Sequence, residues 1–135
     1  MKINTKIRYG LRMVVTIAYA QGIVNTTELG KMMNVSPKYL RKLAGPLEKA
    51  GILKSEQGVY GGYLLNKPPL EITLKTIWEA YDEQMTLVNC VSKKNCPMNG
   101  KCLTKPIWER LDQLIETGFM RITIAEILSP KSESC

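Results

Sequence analysis

Cys90, Cys96 and Cys102 are separated by five residues each, and Lys93, Lys94, Gly100 and Lys101 lie between them. A polar, flexible spacer of this kind lets a segment wrap a centre. Thiolates are soft ligands that suit an iron–sulfur cluster or zinc, and nearby lysines favour the thiolate form. Zinc sites show closer cysteine pairs than these. Redox thiols or unliganded cysteines account for the same residues without a metal. The chain has four cysteines, the last being Cys135, and no histidine. The lack of histidine removes any His-based catalytic arrangement and any His ligand.

A second group of residues can meet a polyanion. Lys38, Arg41 and Lys42 project opposite the Leu40, Leu43 and Leu47 stripe of one amphipathic segment. Arginine can read guanine edges in a bidentate way, and lysine more often contacts phosphate. Charge over the whole chain points the same way. Residues 1–70 hold 11 Lys or Arg and 3 Asp or Glu, and residues 71–135 hold 8 and 9. The first half is therefore +8 and the second −1. Such asymmetry suggests nucleic acid as partner, although a solvated basic surface with no partner gives the same count.

The elements that would position these residues can be read from capping and periodicity. Residues 6–21 form an amphipathic helix through Ile7, Leu11, Val14, Val15 and Ala18, with Gly22 where the pattern stops. Asn25 and Glu28 have capping-box spacing at the start of a short second helix, with Thr26 or Thr27 as other caps. Asn34-Val35-Ser36 makes a tight connection. Ser36 and Pro37 then open a third helix with Tyr39, Leu40, Leu43 and Leu47 buried. Gly45-Pro46 lies inside this helix and predicts a kink or break.

Ile52 to Leu65 reads as a β-hairpin around Gly58-Val59-Tyr60-Gly61-Gly62, closed by Pro68-Pro69. Thr73 caps a fourth helix with Leu74, Ile77, Trp78 and Tyr81 on one face. Met85 to Lys105 is irregular. Pro106 starts a long helix bearing Ile107, Trp108, Leu111, Leu114 and Ile115, which Gly118 is expected to interrupt. Ile122 to Leu128 is a last apolar segment.

Helix, helix, tight turn, helix and hairpin is the order of a winged helix-turn-helix, whose post-turn helix enters the major groove, about 12 Å wide. The expected fold is mainly α with a small β-hairpin, completed by a long C-terminal dimerisation helix. The expected division is a DNA-binding domain over 1–70 and a cysteine loop with dimerisation helix over 71–135. The expected DNA contacts are Lys38, Tyr39, Arg41 and Lys42 on the third helix and Tyr60, Gly61 and Gly62 at the hairpin tip. The chain has 135 residues, 44% of them hydrophobic and 23% charged. That composition fits a folded domain with a real core. No apolar run reaches the roughly 18 residues of a membrane span, and Met13 to Ala20 lacks the flanks of a secretion signal. A cytoplasmic location follows, where thiols stay reduced and a disulfide framework is disfavoured. No nucleophile elbow or phosphate loop supports an enzyme.

The chain resembles the Rrf2 family of bacterial winged-helix regulators. The resemblance is carried by Arg8-Tyr9, Ser36-Pro37-Lys38-Tyr39-Leu40, Lys49-Ala50-Gly51-Ile52-Leu53, Gly61-Gly62-Tyr63-Leu64-Leu65, Ile72-Thr73-Leu74 and the cysteine loop. It implies a regulator, a repressor or an activator, that binds double-stranded DNA as a homodimer, with Ile107 to Phe119 crossing the partner, although packing within one chain would use the same stripe. It also implies an iron–sulfur cluster on Cys90, Cys96 and Cys102, two-iron favoured over four-iron, sensing redox state, nitric oxide or cluster status. The fourth ligand is unassigned: Lys105 and Arg8 occupy the places where family members supply one, and Cys135, a carboxylate or a small molecule are the remaining donors. The alternative is a cluster-free regulator of the same fold that senses thiol oxidation or a protein partner.

Overall fold

In the computed structural model, residues 3–83, 87, 97–98 and 100–129 are described. Helix α1 runs Thr5–Ala20, opened by Asn4, whose side chain accepts from the amide of Ile7. It ends one residue before the expected glycine: Gln21 takes the left-handed turn at φ 55. Helix α2 (Thr26–Met33) starts at Asn25, whose side-chain Oδ1 accepts from the Glu28 amide at 2.7 Å. Asn34, left-handed at φ 56, closes it. Helix α3 (Pro37–Lys49) starts as Ser36 accepts from the Tyr39 amide at 3.1 Å. Each cap satisfies an amide that the first helical turn would otherwise leave unpaired.

The expected break at Gly45-Pro46 does not occur, because α3 continues through Pro46 to Lys49. Pro46 removes only the bond its amide would give to the Lys42 carbonyl. Lys42 is on the exposed side of the helix, where water can serve that carbonyl instead.

Strands β1 (Leu53–Glu56) and β2 (Gly62–Leu65) pair antiparallel, with Leu53 opposite Leu65 and Glu56 opposite Gly62. Val24 joins the edge of this hairpin through two hydrogen bonds of 2.9 Å with Tyr63. After a single 3-10 turn at Pro69–Glu71, which the two prolines obscure in the sequence, Thr73 caps α4 (Leu74–Ala80). Helix α5 spans Lys105–Arg121 without interruption at Gly118, and α6 (Ile124–Leu128) is capped by Thr123.

One core joins these elements. Met13, Val14 and Ile17 of α1, Leu29 of α2, and Leu40, Leu43 and Leu47 of α3 pack with Ile52 and Leu53 of the hairpin. Ile72, Ile77 and Ile124, from the second half of the chain, belong to the same cluster. Thr73 and Thr123 face each other in an isolated antiparallel bridge. There Leu74 donates to Ile122 at 3.0 Å and Ile124 donates to Ile72 at 2.9 Å.

Candidate nucleic-acid interface and cysteine segment

The buried side of α3 is Leu40, Leu43, Ala44 and Leu47. Helical periodicity therefore turns Lys38, Arg41 and Lys42 outward, and all three are exposed. Tyr39 is half-buried, its ring set edge-on to Tyr9 of α1 at 5.9 Å. The Arg12 guanidinium lies over the Tyr9 ring at 4.8 Å. Sequence reading missed this aromatic prop for the start of α3. Its signal was the spacing of Tyr9 and Arg12, three residues apart on one helix. Tyr81, at the end of α4, donates its phenol to the Leu43 carbonyl of α3 at 2.8 Å. Burial, with Tyr39 adding, pushes its pKa well above the ordinary value. A Cβ at Gly10 would overlap the Tyr81 ring, so that glycine makes room for the contact.

At the wing, Val59 and Tyr60 are almost wholly exposed, at 94% and 93%. Gly61 and Gly62 are half-buried, and their small size is used inside the chain. A Cβ at Gly61 would overlap the Glu56 carbonyl, and one at Gly62 the Val24 carbonyl. Tyr63, on β2, is buried. Burial raises its pKa, with Glu48 adding and Arg41 opposing. Glu48 also accepts from the Ser55 hydroxyl at 3.4 Å, so α3 and the wing meet through a polar seam. A polar cleft of about 670 Å³ separates the start of α2 from the wing, lined by Thr27, Glu28, Lys31 and Glu56 among others.

Of the three expected metal ligands, Cys90 and Cys96 lie outside the described residues. Cys102 stands just before α5, with its sulfur 3.2 Å from the Thr104 hydroxyl. The Thr104 side-chain hydrogen bond lowers the thiol pKa, helped by the backbone amides of Thr104 and Lys105 and by the Lys105 charge. Such surroundings favour a thiolate, the form that ligates metal, so this donor fits a soft-metal site. Among the described residues no group of three or more cysteine, histidine or acidic side chains forms a metal site.

Asp112 of α5 is buried and accepts from the Leu87 amide at 2.8 Å, pinning the start of the cysteine segment to the helix. Its other carboxylate oxygen has no hydrogen bond among the described residues. Only its place inside an apolar helical pattern hinted at this. The same helix packs on α4 through Phe119 against Trp78, 5.0 Å between ring centres, and through a 2.7 Å ion pair of Glu116 with Lys75. That pairing raises the Lys75 pKa. Its other side is bare: Ile107 is 56%, Leu111 38% and Leu114 61% exposed. Among the described residues, then, Ile107, Leu111 and Leu114 are left uncovered while Trp108 and Ile115 of the same stripe are half-buried.

The Rrf2 family profile, described as an iron-dependent transcriptional regulator, matches residues 3–130. The chain is 30% identical over 131 residues to the HTH-type transcriptional regulator IscR of Serratia proteamaculans, covering 96% of this chain and 80% of that one. The solved structure of CymR, the global cysteine regulator of B. subtilis, superposes with a TM-score of 0.78 at 27% identity, covering 94% and 95% of the two chains. The structure of T. potens IscR gives 0.73 at 30% identity, covering 95% and 86%. Among the described residues no helix is long and apolar enough to cross a membrane.

Proposed function

This chain belongs to the Rrf2 family of DNA-binding transcriptional regulators, and we propose that it reads its operator as a homodimer and senses its signal through Cys90, Cys96 and Cys102. It is a regulator and not an enzyme. The observation that carries the DNA contact is the outward set of Lys38, Arg41 and Lys42 on α3, beside an exposed wing tip. In this reading α3 lies in the major groove. Arg41 reads a base edge, Lys38 and Lys42 hold phosphates, Tyr39 braces the start of the helix, and Tyr60 meets the backbone. Gly61 and Gly62 shape that tip. Residues 1–70 carry the DNA contacts, and residues 71–135 carry the sensing segment and the dimer helix, in the cytoplasm.

The test is binding of duplexes selected from a randomised library, measured across a salt series. Lys38→Ala weakens all sequences alike and lowers the salt slope by about one, whereas Arg41→Ala costs about 1–3 kcal/mol and relaxes one base position. Binding without salt dependence or selectivity would sink the assignment of α3.

The same three cysteines would hold an iron–sulfur cluster, two-iron favoured over four-iron. The Cys102 environment supports this, and IscR is among the relatives. When bound, such a cluster supplies a redox-active centre that reacts with oxygen and nitric oxide. The chain's own part is to present the thiolates, with Thr104 and the start of α5 holding Cys102 in that form. Asp112 fixes where the segment begins. The similarity to CymR equally favours a second reading, a cluster-free thiol or partner sensor. Anaerobic purification separates the two. Visible absorption with iron and acid-labile sulfide, lost in Cys96→Ala, supports the cluster, and a colourless protein supports the thiol reading.

A further inference from the structure

The middle of α3 carries a residue its own fold does not ask for. Glycine inside a helix weakens it relative to alanine, because it has the most backbone freedom to lose. Gly10 and Gly30 have an internal reason, since a Cβ at Gly10 would overlap Tyr81 and one at Gly30 would come within 2.9 Å of the Val35 carbonyl; Gly118 of α5, away from the basic face, has open space like Gly45. At Gly45 an added Cβ meets nothing within 4 Å, and the backbone is ordinary helix. The position is exposed, as are Lys38, Arg41, Lys42 and Lys49, while Ala44 is buried and Pro46 and the acidic Glu48 are half-buried. Arg41 and Lys42 lie one turn before it, Lys38 two turns before it, and Lys49 one turn after, which puts Gly45 on the midline of the basic face. The next residue, Pro46, carries no amide hydrogen for the Lys42 carbonyl. The centre of the basic face is therefore bare main chain with cations around it.

We propose that Gly45 is where the backbone of α3 comes closest to the base edges of the major groove. In this role it is a side-chain-free notch that sets how deeply the helix seats and which base Arg41 reaches. The inference rests on the reading of α3 as the operator-contacting helix. A helix fits the groove only within a width of about 12 Å, so a side chain at the point of contact lifts it outward. Arg41, one turn away, then loses its bidentate reach.

The test uses the full chain with Gly45→Ala and Gly45→Gln. Both residues are better helix formers than glycine, so both variants melt a few degrees higher than wild type. The probes are the duplex that the wild-type protein selects from a randomised library and a random-sequence duplex. For the selected duplex, Gly45→Gln loses more than about tenfold in affinity and Gly45→Ala less, since tenfold is the scale of one weakened bidentate base contact. The salt slope stays at its wild-type value because every cation remains. Binding on the random duplex changes little, and reselection with Gly45→Gln returns a different base preference. A Gln variant that binds the selected duplex as wild type does would overturn the notch, as would variants that melt lower. A wild-type chain that selects no duplex would instead remove the operator reading of α3, and the notch with it.

Discussion

Tyr81 ties the end of α4 to the main chain of α3 by one phenolic hydrogen bond, and Gly10 of α1 makes the space for it. Because the folded chain holds the Tyr81 proton more tightly than the unfolded chain does, its stabilisation is intact below about pH 10 and is lost as pH rises toward the higher folded value. We expect Tyr81→Phe to lose about 1 kcal/mol at pH 7. Its stability should then decline less steeply than wild type above pH 10, as read by urea midpoints over a pH series. Parallel declines would assign the alkaline sensitivity elsewhere, with Tyr63 the next candidate. Gly10→Ala forces the ring aside and is expected to cost about 1–3 kcal/mol. A midpoint unchanged from wild type would mean that Tyr81 has room to move. The glycine was visible in the sequence, but its purpose was not, since Gly10 and Tyr81 are far apart along the chain.

Helices α2 to α4 were legible because each has a side chain that captures its first amides, Asn25, Ser36 and Thr73, whereas α1 was legible from its apolar periodicity and its cap Asn4 was not read. A break at Gly45-Pro46 and an interruption at Gly118 do not occur, for a common reason. Propensity predicts local cost, and a helix held by Leu40, Leu43 and Leu47 in the core, or by Phe119 and Glu116 against α4, outweighs it. The candidate site was half legible. The outward basic triplet follows from periodicity, whereas the Tyr9–Tyr39 brace and the Asp112–Leu87 bond need tertiary placement. On α5, Ile107, Leu111 and Leu114 recur at intervals of four and three, the spacing of a helix-pairing seam. Leu111→Asp with Leu114→Asp is expected to convert the proposed dimer to a monomer by light scattering, with the far-ultraviolet spectrum unchanged because neither side chain enters the core. A variant that stays dimeric would move the interface to another surface.

At the level of the whole molecule, Ile72, Ile77 and Ile124 pack in one cluster with Met13 and Leu43, so both halves of the chain share a single interior. Ile124→Ala is expected to cost about 2–5 kcal/mol. The loss should appear as one cooperative transition whether followed by Trp78 fluorescence or by helical circular dichroism. Two separated transitions would mean that the halves fold independently. Sequence patterning located both halves but not their common interior, because apolar stripes show which faces are buried and not which face meets which.

Thr73 and Thr123 meet at the neck of everything between them, and each also caps the helix that follows. The 49 residues between Thr73 and Thr123 therefore start and end side by side at one bridge of the winged helix. A segment whose two ends are fixed side by side can change in length or ligand beyond α4, which Ile77 and Tyr81 hold to the core, without altering the register of the body that carries it. The stretch after α4 is in that sense a cassette. Under the proposed function that stretch carries the sensor, so one stimulus can be exchanged for another while α4 and the DNA-binding body are kept, with the cuts made after Tyr81 and before Thr123.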